Sequence, residues 1–318
     1  MTINEKTKTL LKWAKVIFVG LVIWFLTKYF TKNYDELMSL DFQIRWSAFF
    51  LSMLFFFIYK ITLASLWHYI TVLNNTQISY VKAITAYLYS ILGKYIPGKV
   101  FMLGARLVYY DSEGAKMRKV TICFLIENIL TLLGATLLFI FSLFFFPNDI
   151  LSQYQYTTWL LIILFFICIH PKILNFFLGL IEKVTKKTDL EISMTYVQMV
   201  KLVMLFVANW LVVGLGFYLL VCSIYPLPIS VALYASGIFA LAAIIGILSL
   251  FSPSGLGVRE GIIVLGLSVI MPPEYAIIVS IVSRLWSTIP ELALIGMAFI
   301  YSQLANHIDK KTKRETET

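Results

Sequence analysis

From Ser47 to Leu73 a single formal charge, Lys60, interrupts an otherwise apolar run, and runs of similar length recur along the chain. About 20 consecutive apolar residues in a helix match the thickness of the hydrocarbon layer of a membrane. These runs do not alternate at period two, as the strands of a membrane barrel do. The expected class is therefore an all-α, polytopic membrane helical bundle, and a soluble enzyme is excluded. Composition agrees, with 60% hydrophobic and only 14% charged residues among 318. Soluble domains are typically about 45–50% apolar and about 25% charged.

Runs bounded by charge, Pro or Gly predict six full spans, at about 10–30, 47–73, 120–146, 157–170, 200–222 and 275–303. Two further stretches, about 80–110 and 230–271, are broken in the middle. The first break is Gly93-Lys94-Tyr95-Ile96-Pro97-Gly98-Lys99, and the second is Ser252-Pro253-Ser254-Gly255-Leu256-Gly257-Val258-Arg259-Glu260-Gly261. Proline and closely spaced glycines interrupt a helix, so each stretch is expected to be a re-entrant helical hairpin whose halves are too short to cross alone.

Basic residues set the orientation. With both hairpins re-entrant and the N-terminus inside with Lys6, Lys8 and Lys12, the cytoplasmic side also receives Lys116, Arg118, Lys119, Lys172, Lys183, Lys186, Lys187, Lys310, Lys311, Lys313 and Arg314. The other side carries Lys28, Lys32 and Arg45, and the loops 147–156 and 223–230 contain no Lys or Arg. That asymmetry is what the positive-inside rule requires, and it puts both termini in the cytoplasm of a cytoplasmic (inner) membrane. The two hairpins then enter from opposite faces, the arrangement of an inverted-repeat transporter with its site near the midplane. The whole chain, 1–318, is expected to be one integral membrane domain, with an amphipathic cytoplasmic helix at about 171–187 and a short basic tail at 304–318. The first span lacks a small-residue cleavage site and is expected to be retained.

The net charge of +9 lies in loops and tails rather than in one stripe, so nucleic acid is not an expected partner. Cys123, Cys168 and Cys222 lie apart in apolar runs, and His68, His170 and His307 are isolated, so no metal, disulfide framework or cofactor is expected. No Walker motif is present, so ATP is not the driver within this chain.

Charges inside the apolar runs are the informative ones, because each costs roughly 2.5–3.5 kcal/mol at the membrane centre unless compensated. They are Lys94, Lys99 and Arg106 in the first hairpin, Glu127 in the third span, Arg259 and Glu260 at the second break, and Arg284 and Glu291 in the last span. Ser280, Arg284, Thr288 and Glu291 share one helical face, which must look into the bundle. Pro290 frees a carbonyl in the same stretch. A structural pairing would join Arg284 to Glu291 or Glu127. Lys60 and His68 read as snorkelling or as satisfying backbone groups. The breaks at Pro97-Gly98 and Pro253 to Gly261 open half-helices whose free N–H groups, with nearby Lys and Arg, suit a phosphate-bearing head group.

The two breaks, Lys94 to Lys99 with Arg106 and Pro253 to Gly261, resemble those of the lysylphosphatidylglycerol synthase transmembrane-region family. These flippase-like integral membrane proteins occur alone and fused to other modules. The resemblance runs from about residue 10 to 303 and implies a lipid translocase. The sequence departs from the family pattern at Ser254, where a glycine is usual, and at Asn128 and Thr131, where Arg and Asp are usual. The family's soluble synthase domain is absent, so synthesis of the lysyl lipid is not implied.

The resulting expectation is a transporter rather than an enzyme, moving an anionic phospholipid or lipid-linked head group between leaflets. Lys99, Arg106, Arg259 and Arg284 are the expected head-group residues. Glu127, Glu260 and Glu291 balance charge or carry a proton, and Pro97, Gly98, Pro253, Gly255, Gly257 and Gly261 shape the helix breaks. The partners expected are a membrane lipid and either a second copy or a neighbouring synthase. The alternatives are a membrane glycosyltransferase using a polyprenyl-phosphate sugar, with Asp35, Glu36 or Asp41 as acid/base, and a non-catalytic partner of a lipid or glycan synthase.

Overall fold

The structure, a computed structural model, describes residues 43–95, 100–145, 170–173, 175–176, 179, 194–249 and 257–316. The chain divides into two compact units, Met1–Gln43 and Ile44–Thr318. Apart from Gln43 the first unit, with the expected span at 10–30, lies outside the described residues. So do the expected span at 157–170 except His170, and most of the amphipathic segment.

Eight α-helices order the described residues of the second unit, and no strand occurs among them. They are α1 (Trp46–Leu73), α2 (Tyr80–Ile91), α3 (Val100–Asp111), α4 (Met117–Phe144), α5 (Tyr196–Ile224), α6 (Ala232–Leu248), α7 (Val258–Leu267) and α8 (Pro273–Thr316). Short 3-10 turns, Leu92–Tyr95 and Ile229–Val231, follow α2 and precede α6. In α1, Trp46, Phe50, Leu54, Ile58 and Ile61 are exposed while Phe56, Tyr59, Leu63, Trp67 and Ile70 are buried. A helix apolar on both faces is either buried in a core or spans a membrane, and here the outer face is exposed, as in a span that meets lipid. Five helices are long and apolar enough to cross a membrane: Trp46–Leu73, Met117–Phe144, Tyr196–Ile224, Ile229–Leu248 and Pro273–Gln303. The protein is thus a multi-pass helical membrane protein.

The first broken stretch folds back on itself. Lys82 of α2 donates to Glu113 beyond the end of α3 at 2.7 Å, and Arg106 Nε of α3 donates to Ser90 Oγ of α2 at 3.0 Å. Gly93 lies so close to the returning arm of the hairpin that a Cβ there would stand 2.5 Å from the Met102 backbone nitrogen. As residue numbers rise along α2 their partners fall along α3, so the two helices are antiparallel. The second stretch does the same, with Tyr234 Oη of α6 donating to the Gly266 carbonyl of α7 at 3.1 Å. Gly257 opens α7 with φ +79°, a left-handed value that costs any other residue roughly 1–2 kcal/mol.

One expectation needs correction. The first stretch splits evenly into helices of 12 and 12 residues, but the second splits unevenly. Its break falls late, and the turn at Ile229–Val231 lengthens α6 at its start, so Ile229–Leu248 makes 20 residues against 10 in α7. Twenty residues of helix rise about 30 Å, enough to cross alone.

The two parts of the bundle, α1–α4 and α5–α8, are inverted copies in architecture. Each has a long helix, a two-helix hairpin and a second long helix. The leading helices α1 and α5 pack on each other antiparallel. Arg45 N donates to Ser223 O at 2.8 Å, Gly216 abuts Phe55 and Ser52, and the Tyr59 and Trp210 rings stand 6.0 Å apart. Exchanging α1 with α5, α2 with α6, α3 with α7 and α4 with α8 turns the set of packed helix pairs into itself. That is the signature of a pseudo-two-fold axis through the crossing of α1 and α5, and it points the two hairpins in opposite directions.

Candidate functional site

The intramembrane charges form two groups. In the first, Arg106 is 0% exposed and its guanidinium is bonded by Glu127 of α4 as well as by Ser90. Three rings surround it, with Trp67, Tyr87 and Phe124 centroids 4.1, 4.5 and 5.1 Å from Cζ. A delocalised guanidinium stacks on such faces while its N–H groups bond in plane. Charge, hydrogen bonds and π-faces are all engaged, so this pair pins α3 to α1, α2 and α4.

The second group lies between the halves. Glu291 of α8 is 2% exposed and takes two lysines at once, Lys60 of α1 at 2.7 Å and Lys94 of the turn after α2. Glu260 of α7 accepts from the Gly257 N–H at 2.8 Å and pairs with Arg284 Nε of α8. Arg259 joins the two sets, since it lies within electrostatic reach of Arg284, Glu260, Glu291 and Tyr59. Lys60 and Lys94 each feel Glu291 and Arg259 in turn. The Arg259 guanidinium sits 5.0 Å from the Phe239 ring, and its buried Nε has no hydrogen-bond partner among the described residues. Among the described residues, four cations, Lys60, Lys94, Arg259 and Arg284, thus share two carboxylates, Glu260 and Glu291.

Ser280, Arg284, Thr288 and Glu291 are all buried, so the polar face of the last span looks inward as its spacing requires. Helix α8 continues through Pro290. The partners differ from those expected. Arg284 pairs with Glu260 rather than with Glu291 or Glu127, because α7 lies along α8 and brings Glu260 to the same level. Lys60 does not snorkel, because α1 presents it to α8, where Glu291 holds it. At the second break the Gly257 N–H is occupied by the chain's own Glu260 carboxylate, so this donor is not open to an outside anion. Gly261 closes the first turn of α7 onto the Gly257 carbonyl at 3.0 Å. Pro97, Gly98, Lys99, Pro253 and Gly255 lie outside the described residues. Lys60 was visible as the lone charge of its run. Asn209, buried in α5, was signalled only as an amide within an apolar stretch. No group of three or more His, Cys, Asp or Glu placed to hold a metal occurs among the described residues.

No curated protein and no solved structure matches the chain. A family described as the lysylphosphatidylglycerol synthase TM region matches residues 12–295, both hairpins and both charge groups included. A match across most of the chain, on a helical bundle whose intramembrane charges gather where its two halves meet, makes this protein a member of the lysylphosphatidylglycerol synthase TM region family, membrane proteins of lipid-related biosynthesis or transport.

Proposed function

We propose that the protein translocates an anionic lipid head group between the leaflets of the cytoplasmic membrane, with Lys60, Lys94, Arg259 and Arg284 as the head-group site. The observation that carries this reading is the cationic excess of that cluster, and above all the unsatisfied Arg259 Nε. An Arg at membrane depth costs roughly 2.5–3.5 kcal/mol unless compensated, and a bound phosphate would add an acceptor for the open Nε. Arg supplies a planar fork for two phosphate oxygens, and Lys a movable point charge.

The acyl or prenyl tail remains in the bilayer while the head group enters between the hairpins. On arrival its phosphate competes with Glu291 for Lys94, whose side chain is 25% exposed and sits on the turn of the first hairpin. Lys94 then leaves Glu291, and Lys60 keeps the carboxylate neutralised. Arg106, sealed with Glu127, acts as the anchor of that hairpin, and Lys99 at its break adds positive charge. With the interior negative, the membrane potential favours outward movement of an anion by about 2.3 kcal/mol per charge per 100 mV. In this reading both termini are cytoplasmic, and the partner is the lipid itself.

The test is reconstitution of the purified protein in liposomes with fluorescent phospholipids, scoring outer-leaflet accessibility by a membrane-impermeant quencher. Wild type is expected to speed equilibration of anionic lipids, and Arg259→Gln to slow it by about tenfold or more, an effect of one lost charge-assisted contact. Glu260 keeps Arg284, and Glu291 keeps Lys60 and Lys94, so replacing Arg259 leaves neither carboxylate without a cation. An unchanged rate in a folded Arg259→Gln protein refutes the site.

A further inference from the structure

The exchange that relates the two halves also pairs their interfaces. The contact of α4 with α6 corresponds to that of α8 with α2, and the contact of α4 with α5 to that of α8 with α1. The corresponding interfaces are built differently. On α4 the backbones approach closely: a Cβ added to Gly237 of α6 would overlap Ser142, and one on Gly134 would stand 3.1 Å from the backbone carbonyl carbon of Phe206 in α5. Gly134, Ser142, Phe206 and Gly237 are all buried. Surfaces packed in this way leave no room for a ligand and separate only with the loss of many dispersion contacts.

The interface of α8 with α2 is bridged by side-chain tips. Tyr89 Oη has one proton for two acceptors, Ser302 Oγ at 3.2 Å and Ala298 O at 3.3 Å, both long for an O–H donor. Nearer the tip of the hairpin, Lys94 reaches Glu291. Tyr89, Lys94 and Ser302 are half-buried, so this seam comes to the surface of the bundle. Numbers rising along α2 meet numbers falling along α8, so the two contacts lie in order along one antiparallel seam. The step from Ala298 to Glu291 rises about 10 Å along the helix. The seam thus leads from the Tyr89 contact, on the side where Lys82 and Glu113 close the base of the first hairpin, to the carboxylate of the cationic cluster.

We propose that the α2–α8 seam is the lateral gate through which the head group passes between the bilayer and the cationic cluster, latched by Tyr89 and by the Lys94–Glu291 pair. This rests on the reading of that cluster as the head-group site. A head group whose tail stays among the acyl chains must enter from the side, along a polar path. Hydrogen bonds made by side-chain tips exchange partners at little net cost, and a phosphate that draws Lys94 away from Glu291 also releases the inner latch. The α4–α6 seam, with its backbones in close approach, stays shut meanwhile. In the proposed orientation the gate opens to the cytoplasmic leaflet.

The test links the two sides of the seam. The full chain carries Cys123→Ser, Cys168→Ser and Cys222→Ser, with Tyr89→Cys and Ser302→Cys joined by a reducible bis-methanethiosulfonate. The probe is whichever of fluorescent short-chain phosphatidylglycerol and a fluorescent short polyprenyl phosphate the wild type binds, and its association is followed by stopped flow. Linking is expected to slow association about tenfold or more, and dithiothreitol to restore it. Lys82→Cys with Glu113→Cys, linked within the first half, is expected to leave the rate unchanged. In the chain with its native cysteines, Tyr89→Phe keeps the ring, loses the outer latch and is expected to associate about threefold faster, a readout that stands even if the cysteine-free protein does not fold. Unchanged association in the linked chain, equal slowing by the control link, or a Tyr89→Phe rate no faster than wild type overturns the gate, while probe binding by wild type keeps the head-group site. If wild type binds neither probe, the site itself fails and the gate fails with it.

Discussion

Replacing Glu291 by Gln removes one charge and strands two. Its carboxylate is the shared counter-ion of Lys60 and Lys94, at 2% exposure, and an amide cannot neutralise either ammonium. Breaking a buried pair from one side typically costs about 3–5 kcal/mol. At about 2–4 °C per kcal/mol for a protein of this order of size, the melting temperature in detergent should fall on the order of 10 °C. The informative arm is the response to ligand. In wild type an anionic head group must compete with Glu291 for Lys94, whereas in the variant the lysines have no rival. A soluble short-chain anionic lipid should therefore bind Glu291→Gln more tightly and restore much of the lost stability. Saturation at 100 times Kd contributes about 2.7 kcal/mol. Scanning fluorimetry with a lipid titration reads both effects. If the variant melts with wild type, or is stabilised by lipid no more than wild type, the carboxylate is not the competitor of the head group and the exchange at Lys94 is refuted.

Two further outcomes rest on the geometry of the hairpins. Glu127→Leu should destabilise by about 3–5 kcal/mol, because it leaves Arg106 charged inside its aromatic enclosure, and the double variant Arg106→Leu/Glu127→Leu should recover most of that loss in a thermal melt. Gly93→Val places a Cβ against the Met102 backbone nitrogen, so it should open the first hairpin and raise protease cleavage near its tip, while Gly104→Val, where a Cβ meets nothing within 4 Å, should not.

Both helix breaks were legible in the sequence because Pro and Gly announce them locally, though not that the first arm of the second stretch is long enough to cross alone, and helical spacing alone turned Ser280, Arg284, Thr288 and Glu291 inward. The pairing of the charges was not legible. Periodicity says which residues share a face of one helix, but a partner is chosen by the rotation of a second helix, which depends on packing along the whole bundle. Hence Arg284 found Glu260 rather than Glu291, and Lys60 found Glu291 across two elements distant in the chain. Counting residues gives a lysine's depth but not its direction, which is why Lys60 read as snorkelling. The enclosure of Arg106 by Trp67, Tyr87 and Phe124 draws one ring from each of three helices, and no single segment carries that signal.

The distribution of ion pairs over the inverted halves has a mechanical consequence. Lys82–Glu113 and Arg106–Glu127 close within the first half, and Glu260–Arg284 closes within the second. Among the described residues, the ionic ties from one half to the other all pass through Glu291. Each half thus has ion pairs of its own, while the electrostatic fastening between them is gathered at a single clasp. A proton on that one carboxylate, or an anion that draws its lysines away, would release both ionic ties between the halves without touching the ion pairs inside either.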